Sequence, residues 1–347
     1  MKIAIHHREG SFSDRWLKYC EAKDIPYKRV DCYDNDIIMQ ICDCDALMWH
    51  PHHANYQDVL ASKSILHAIE QAGILVFPNL ATGWHFDDKV AQKYLFEALD
   101  LPLVNSYVFY DRKKALKWAD KVEYPKVFKL KGGAGSANVS LVKNKKQAIS
   151  KIEKAFGQGF SQHNKLGYLK DNLQKFKKNQ VGTSKVIKSL IRLFVPPKYS
   201  RLKGREKGYA YFQDFIPNND SDIRIIVIAG KAFGIKRLVR KGDFRASGSG
   251  DFVYLNEDNI QAHKKCLTLA FSISEKLGAQ CLAYDFIYDR NKEPLIVEVS
   301  YGFAMNAYDL CKGYWDKELQ WYETNFIPQH WIVDDVVWAI TEKNIKA

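Results

Sequence analysis

The sequence predicts a mixed α/β and α+β chain: a small parallel-sheet layer first, then two α+β subdomains. Three observations carry this. The first 80 residues alternate short apolar runs with helical patterns, the rhythm of a parallel sheet with crossover helices. An apolar strand at 127–130 leads into Gly132, Gly133 and Gly135 and returns as a second strand at 139–142. Two hairpins follow later, and the second carries one carboxylate on each strand, Asp285 and Glu298.

The elements follow in order. Lys2-Ile3-Ala4-Ile5 reads as a first strand, since no long apolar stretch of the signal-peptide kind is present. Residues 13–22 read as a helix with Trp16, Leu17 and Cys20 on one face. Strands at 27–30, 46–49 and 74–77 alternate with helices at 37–42 and 59–72. A helix over 87–99 is expected to bury Val90, Tyr94, Leu95 and Leu99, and Leu101-Pro102-Leu103 stops it. A strand at 107–110 and a helix at 112–118 precede the glycine stretch, and a helix at 145–156 follows it. That stretch is no P-loop, because it lacks a Gly-Lys-Ser/Thr end running into a helix. Residues 157–208 break the rhythm. A strand resumes at 209–216, and strands at 222–228 and 231–237 form a hairpin over Ala229-Gly230. A long helix is read over 257–277, then the second hairpin at 281–288 and 294–299. The aromatic tail at 314–340 reads as helix and loop.

At 347 residues the chain is long enough for two or three cores. No run of 18 apolar residues occurs, so no transmembrane helix is expected. Seven scattered cysteines read as free thiols of a reducing, cytoplasmic setting. Cys42 and Cys44 lack zinc-site spacing. The net charge of +12 is localised: residues 162–208 hold thirteen Lys and Arg against Asp171 and Glu206, a net +11. That argues against an overall nucleic-acid coat and for one surface that meets something anionic.

The chemistry lies in one constellation. Lys129 sits in an otherwise apolar strand, where its charge needs a partner, and a phosphate is a good one. Glycines let the following loop turn backbone N–H groups toward phosphate oxygens. Asp285 and Glu298 also sit on strands that read as buried. A buried carboxylate is costly without a cation, and magnesium takes oxygen ligands while bridging nucleotide phosphates. The bland alternatives are an edge-strand lysine, a plain hairpin turn and a structural salt bridge.

From Thr82 to about Ser300 the chain resembles the ATP-grasp superfamily, most closely the ribosomal-protein glutamate ligases. The matching pieces, in family order, are Asp88-Lys89, residues 127–139, Gln213-Asp214-Phe215-Ile216, Asp222-Ile223-Arg224, Gly242-Asp243-Phe244-Arg245, Asp285 and Glu298-Val299-Ser300. The resemblance implies a Rossmann-like domain at 1–80 preceding an ATP-grasp fold. Its central and lid subdomains would span 81–212, with the basic insertion at about 157–208. A metal-binding subdomain and tail would span 213–347. It implies ATP and Mg2+, with Lys89, Lys129, Lys131, Gly133, Gly135 and Ser136 at the phosphates. Gln213, Asp214, Phe215 and Ile216 would form the adenine linker, with Ile216 and Phe128 flanking the ring. Asp222 and Arg237 are further nucleotide-site residues. Arg224, Lys236 and Arg245 would neutralise the transferred phosphoryl group, and Asp285, Glu298 and Ser300 would hold the metal. Ser300 stands where the family often has Asn, which puts a second metal in doubt.

The implied activity is carboxylate–amine ligation through an acyl phosphate. Kinase activity and non-catalytic nucleotide binding are the alternatives. The acid and amine sites are expected at the loops His6-His7-Arg8 to Ser13 and His50-Pro51-His52-His53, the latter read as hydrogen bonding or surface rather than a metal site. Ser300-Tyr301-Gly302-Phe303 and Gly313-Tyr314-Trp315-Asp316 resemble ATP-grasp proteins of bacterial surface-polysaccharide gene clusters, which implies a nucleotide- or lipid-linked uronic acid as substrate. Residues 186–195 mix apolar and cationic residues at helical spacing, a pattern suited to peripheral contact with an anionic membrane at its inner face. RNA is disfavoured, for want of a stacking platform.

Overall fold

The computed structural model describes residues 1–132, 138–161, 169, 172–173, 176, 182–194, 202, 204–239, 243–246, 248 and 250–346. The chain divides into two compact units. One comprises residues 1–86, 99–102 and 218–347, and the other residues 87–98 and 103–217.

The first unit contains two sheets. Strands β1 (Ile3–His6), β2 (Tyr27–Val30), β3 (Ala46–Met48) and β4 (Leu75–Phe77) are all parallel, in the order β2-β1-β3-β4. The connections are α1 (Phe12–Ala22), α2 (Ile37–Gln40) and α3 (Tyr56–Gln71), followed by the one-turn α4 (Leu80–Gly83). Short polar residues start the two long helices: Ser11 and Asn55 accept hydrogen bonds from the backbone of Ser13 and Gln57. Ala4, Leu47, Val76, Leu66 and Ile69 pack with Trp49 in one core. Chain order reverses between β1 and β3, so the residues after these strands occupy the crevice where open α/β sheets take ligands.

The second sheet of this unit is antiparallel and seven-stranded, in the order β15-β14-β11-β12-β16-β17, with β13 on β12. Its strands are β11 (Ser221–Ile228), β12 (Lys231–Leu238), β13 (Phe252–Tyr254), β14 (Cys281–Tyr288), β15 (Pro294–Ser300), β16 (Gly313–Trp315) and β17 (Trp321–Glu323). Helix α9 (Lys264–Leu277) covers one face, where the Ser274 and Tyr284 hydroxyls meet at 2.7 Å. It is shorter than the sequence suggested, because a 3-10 turn at Ile260–His263 precedes it. The aromatic tail adds a hairpin, β16–β17, where helix and loop alone were expected, and then α10 (Pro328–Lys346). This last helix packs on α1 and β4. Arg15 donates to Gln329 at 3.0 Å, Tyr19 donates to Asp334 at 2.8 Å and stacks on His330 at 4.0 Å.

The second unit is built on the sheet β5-β10-β6-β7, from β5 (Ser106–Phe109), β6 (Lys126–Lys129), β7 (Ser140–Val142) and β10 (Ala210–Asp214). Helices α6 (Arg112–Ala119) and α7 (Lys145–Phe156) cover one face. There Phe128, Phe212 and Phe160 form a core with Ala115, Ile152 and Val142. Strands β8 (Phe160–Ser161) and β9 (Arg205–Glu206) pair separately. Helix α8 (Thr183–Phe194) lies in the basic segment and exposes Ile187, Lys188, Leu190 and Ile191. Val195 of the segment read as membrane-binding lies outside the described residues.

Helix α5 (Lys89–Ala98) corrects one expectation. It buries Lys89, Gln92, Lys93 and Phe96 beside Val90, while Tyr94 is 45% exposed. Three of those buried residues are polar, so a stripe traced through apolar residues alone points at the wrong face. Among the described residues no helix is long and apolar enough to cross a membrane.

Candidate active site

In an antiparallel pair, directly opposed residues share a face and neighbours along a strand alternate. On β11, β12, β14 and β15 the registers Asp222↔Arg237, Arg224↔Asp285 and Asp285↔Glu298 put all five charges on one face. Ala283↔Ser300 adds the Ser300 hydroxyl to the same face. Side-chain contacts turn this set into a ladder. Arg237 donates through Nε and Nη2 to the two oxygens of Asp222, each at 2.6 Å. Its Nη2 also reaches Asp285 Oδ2 at 2.8 Å. Arg224 donates through Nε to Asp285 Oδ1 at 2.6 Å and through Nη2 to Oδ2 at 3.0 Å. Bidentate forks of this kind are among the stronger charged hydrogen bonds.

The ladder is largely shielded: Asp285 and Arg237 keep 10% and 9% of side-chain exposure. Burial alone would raise the Asp285 carboxyl, but the charges and hydrogen bonds of Arg224 and Arg237 win and hold it at about 2. Arg237 is raised despite its burial by the same carboxylates. The cation that burial of Asp285 demands is therefore supplied by two guanidiniums. Tyr308, buried in the tail, lies beside Arg224. Gly234 fixes the spacing of β11 and β12, since a Cβ there would stand 2.4 Å from the Arg224 carbonyl oxygen.

Lys236 is not part of this face. Its register partner is Ile223, on the side covered by α9, and its charge lowers the His263 imidazole there after burial has done so. Alternation forbids Lys236 and Arg237 from sharing a face, so the two sequence assignments separate. Arg245 is held by Asp243, at 3.0 and 2.9 Å from Nε and 2.5 Å from Nη2. Burial acts to raise the Asp243 carboxyl, but the Arg245 contacts outweigh it and leave the group below its usual value.

On the sheet of the second unit, Lys129 lies on the face opposite Phe128, whereas Lys126 shares the face of Phe128. Lys129 is 5% exposed and its Nζ donates to Gln213 Oε1 at 2.5 Å. Gln213 in turn donates to Ser106 Oγ at 3.1 Å, and the Tyr211 hydroxyl donates to that same Ser106 oxygen at 2.9 Å. The Gln213 amide is thus oriented by its own neighbours, a support that sequence reading missed. Asp214 takes Lys126 Nζ at 2.5 Å. Lys131 pairs with Asp88 at 2.8 Å, and the Lys89 backbone N–H donates to the Lys131 carbonyl at 2.9 Å. Phe215 and Ile216 follow β10, both half-buried. Phe128 does not flank a ring beside them: it is register-paired with Phe212 and Ser140 and lies in the helix-covered core. Gly133, Gly135 and Ser136 lie outside the described residues.

The histidine loops join the carboxylate strand from the parallel sheet. His50 is buried, stacks on Phe12 at 3.8 Å and accepts from the Phe12 N–H through Nδ1 at 3.2 Å. A Cβ on Gly302 would stand 3.5 Å from His50 Nε2, and the Tyr301 hydroxyl donates to the Pro51 carbonyl at 2.5 Å. The loop that follows β3 therefore abuts the segment just after Ser300. Burial, then the Arg8 charge, holds the His50 imidazole well below its ordinary value.

For a metal, the face offers hard oxygens. Asp285 and Glu298 oppose each other, and the Ser300 hydroxyl donates to Gly302 O at 2.8 Å, which leaves its lone pairs as acceptors. Among the described residues no three His, Cys, Asp or Glu gather as a closed metal cage. A pair of carboxylates suits Mg2+, which takes few protein ligands and completes its shell with water and phosphate oxygens.

Comparison with known proteins agrees with this architecture. Residues 201–310 match the model of the RimK-like ATP-grasp domain. The α-aminoadipate–LysW ligase LysX of Saccharolobus solfataricus is 20% identical over 313 residues, covering 87% of this chain and 95% of its own. A RimK domain ATP-grasp protein from Sphaerobacter thermophilus superposes with a TM-score of 0.54 at 15% identity, over 97% of this chain and 100% of that one. The biotin carboxylase domain of the Hydrogenobacter thermophilus 2-oxoglutarate carboxylase, in complex with MgADP, ADP and bicarbonate, gives 0.55 at 13% identity, over 97% of this chain and 69% of that one. The fold is therefore the ATP-grasp fold, as the sequence motifs implied. Within that class the chain is similar to the RimK-like ligases.

Proposed function

We propose that this chain is an ATP-dependent carboxylate–amine ligase. The observation that carries the reading is the opposed pair Asp285 and Glu298, beside Arg224 and Arg237, within the span that matches a RimK-like domain. A substrate carboxylate oxygen attacks the γ-phosphorus of ATP, ADP leaves, and an acyl phosphate forms. An amine nitrogen then attacks the acyl carbon, the C–O bond to phosphate breaks, and phosphate and a proton are released. Such chemistry needs alignment and charge neutralisation rather than a protein nucleophile.

Lys129, Lys131 and Lys89 are the phosphate residues in this reading. Gly133, Gly135 and Ser136 join them. Residues 213–216 read adenine through backbone groups, since the Gln213 side chain already serves Lys129 and Ser106. Asp285 and Glu298, with Ser300, hold Mg2+, which when bound supplies charge neutralisation at the phosphates. Arg224, Arg237 and Arg245 offset charge on the transferred group, and Asp222 anchors Arg237. For the acid, the likeness of Ser300–Phe303 and 313–316 to proteins of polysaccharide gene clusters supports a uronic acid. The exposed strip Ile187, Leu190 and Ile191 beside Lys188 supports cytoplasmic action against an anionic lipid surface.

The test is ADP release with Mg-ATP, hydroxylamine and a panel of free and nucleotide-linked uronic acids. ADP together with a hydroxamate is the expected result and names the acid. ADP with a stable phosphorylated product overturns ligation in favour of a kinase. Intact nucleotide binding with no ADP across carboxylate panels overturns it in favour of a non-catalytic module.

A further inference from the structure

Asp285 does two jobs that conflict. A carboxylate offers about four lone-pair positions, and on Asp285 Arg224 and Arg237 already take three. Both guanidiniums stay charged at any working pH. Arg237 is also anchored on its far side by two 2.6 Å bonds to Asp222, so it cannot swing away without breaking them. A divalent cation approaching Asp285 therefore meets two fixed positive charges and must share their acceptor. A polyphosphate reverses the sign of that contest, because its oxygens match the same guanidinium forks.

From this geometry, and resting on the reading of Asp285 as a metal carboxylate, we propose that Arg224 and Arg237 are positioning residues that gate Asp285. They compete with a divalent cation for it, and nucleotide phosphates relieve the competition by drawing on the same forks. Cation and nucleotide then bind as a coupled pair rather than cation first. Arg237 sets the strength of the gate through its anchor on Asp222. Arg224 carries the geometry, with both nitrogens of its fork on Asp285.

The experiment titrates the full chain with Mn2+, counting free ion by electron paramagnetic resonance, with and without a non-hydrolysable ATP analogue. The wild type is expected to bind Mn2+ roughly 5- to 150-fold more tightly with the analogue, and by linkage to bind the analogue more tightly with Mn2+ by the same factor. Arg237→Gln is expected to bind bare Mn2+ about tenfold or more tightly than the wild type, with a smaller coupling factor. Equal affinity of R237Q and wild type for bare Mn2+ overturns the gate. Should R237Q fail to fold, the wild type decides alone: one Mn2+ bound as tightly without nucleotide as with it overturns the gate as well. Asp285→Asn separates this from the parent reading. If it leaves Mn2+ uptake with the analogue unchanged, Asp285 is no metal residue at all, whatever the arginines do.

Discussion

The two charged faces of this molecule solve the same problem in opposite ways. On the antiparallel sheet of the first unit, buried charge is met by buried charge: Asp222, Arg237, Asp285 and Arg224 alternate in sign and sum to zero. On the sheet of the second unit, the buried Lys129 is met by the neutral amide of Gln213, itself held by Ser106. The first arrangement is self-sufficient and has to be opened before an ion can enter. The second holds a lysine ammonium in place through a neutral amide that its own neighbours orient.

The sharpest way to break that contrast is to remove one anion from the ladder. Asp285→Ala strands Arg224 and leaves Arg237 with Asp222 alone, so turnover should fall by roughly 10²- to 10³-fold or more, and the first unit should lose about 3–5 kcal/mol of stability. Paired assays of ADP release and urea unfolding check both. Lys129→Met, by contrast, should weaken ATP binding while barely moving the unfolding midpoint, because Gln213 retains Ser106. Equal destabilisation by the two variants would mean that the faces are not different in kind. Next in size is Phe128→Ala, one residue away on the opposite side of β6. It should cost about 3–5 kcal/mol through an unfilled core and leave the KM for ATP of the folded protein unchanged. A large rise in that KM would return Phe128 to the nucleotide site.

Acid gives a smaller effect, confined to the first unit. The unfolded chain protonates an imidazole near 6.5, whereas burial keeps the folded His50 well below that value. The unfolded state therefore binds the extra proton, so the stabilising contribution is complete above about pH 6.5 and is lost as pH falls below it. A loss of about 1–2 kcal/mol between pH 6.5 and 5 is expected for one such imidazole. Hydrogen exchange at residues 1–20 should report it, and His50→Gln should reduce the response without abolishing it, since burial lowers His6 in the same direction. The smallest effect belongs to Lys236→Ala, expected to change stability by less than about 0.5 kcal/mol and to leave turnover near the wild-type rate. A severe loss of turnover would put Lys236 back into catalysis.

Much of this was legible in the chain itself. Periodicity marked the strands, and an acidic residue on an apolar strand singled out Asp285 and Glu298. What failed was the side on which a residue lies. Lys236 and Arg237 both read as cations of the phosphate site, yet as neighbours on β12 they face apart, and Phe128, expected with Ile216 at the adenine ring, faces the core on the side of β6 away from Lys129. Strand parity contains that signal and would have separated both pairs. The ladder itself was not legible. It depends on the register of β11 against both β12 and β14, which long-range pairing fixes and no local pattern reports. The tail hairpin was hidden for a related cause, since Trp315, Trp321 and Tyr322 are as compatible with a packed loop as with strands.

The placement of α10 sets a schedule for the newly made chain. The parallel sheet is translated well before the helix that seals α1 and β4. At about 5–20 residues per second, the early sheet waits many seconds with Tyr19 lacking its partners Asp334 and His330. Its protection in that interval falls to chaperones, and a stall before α10 is made would leave α1 and β4 without that cover.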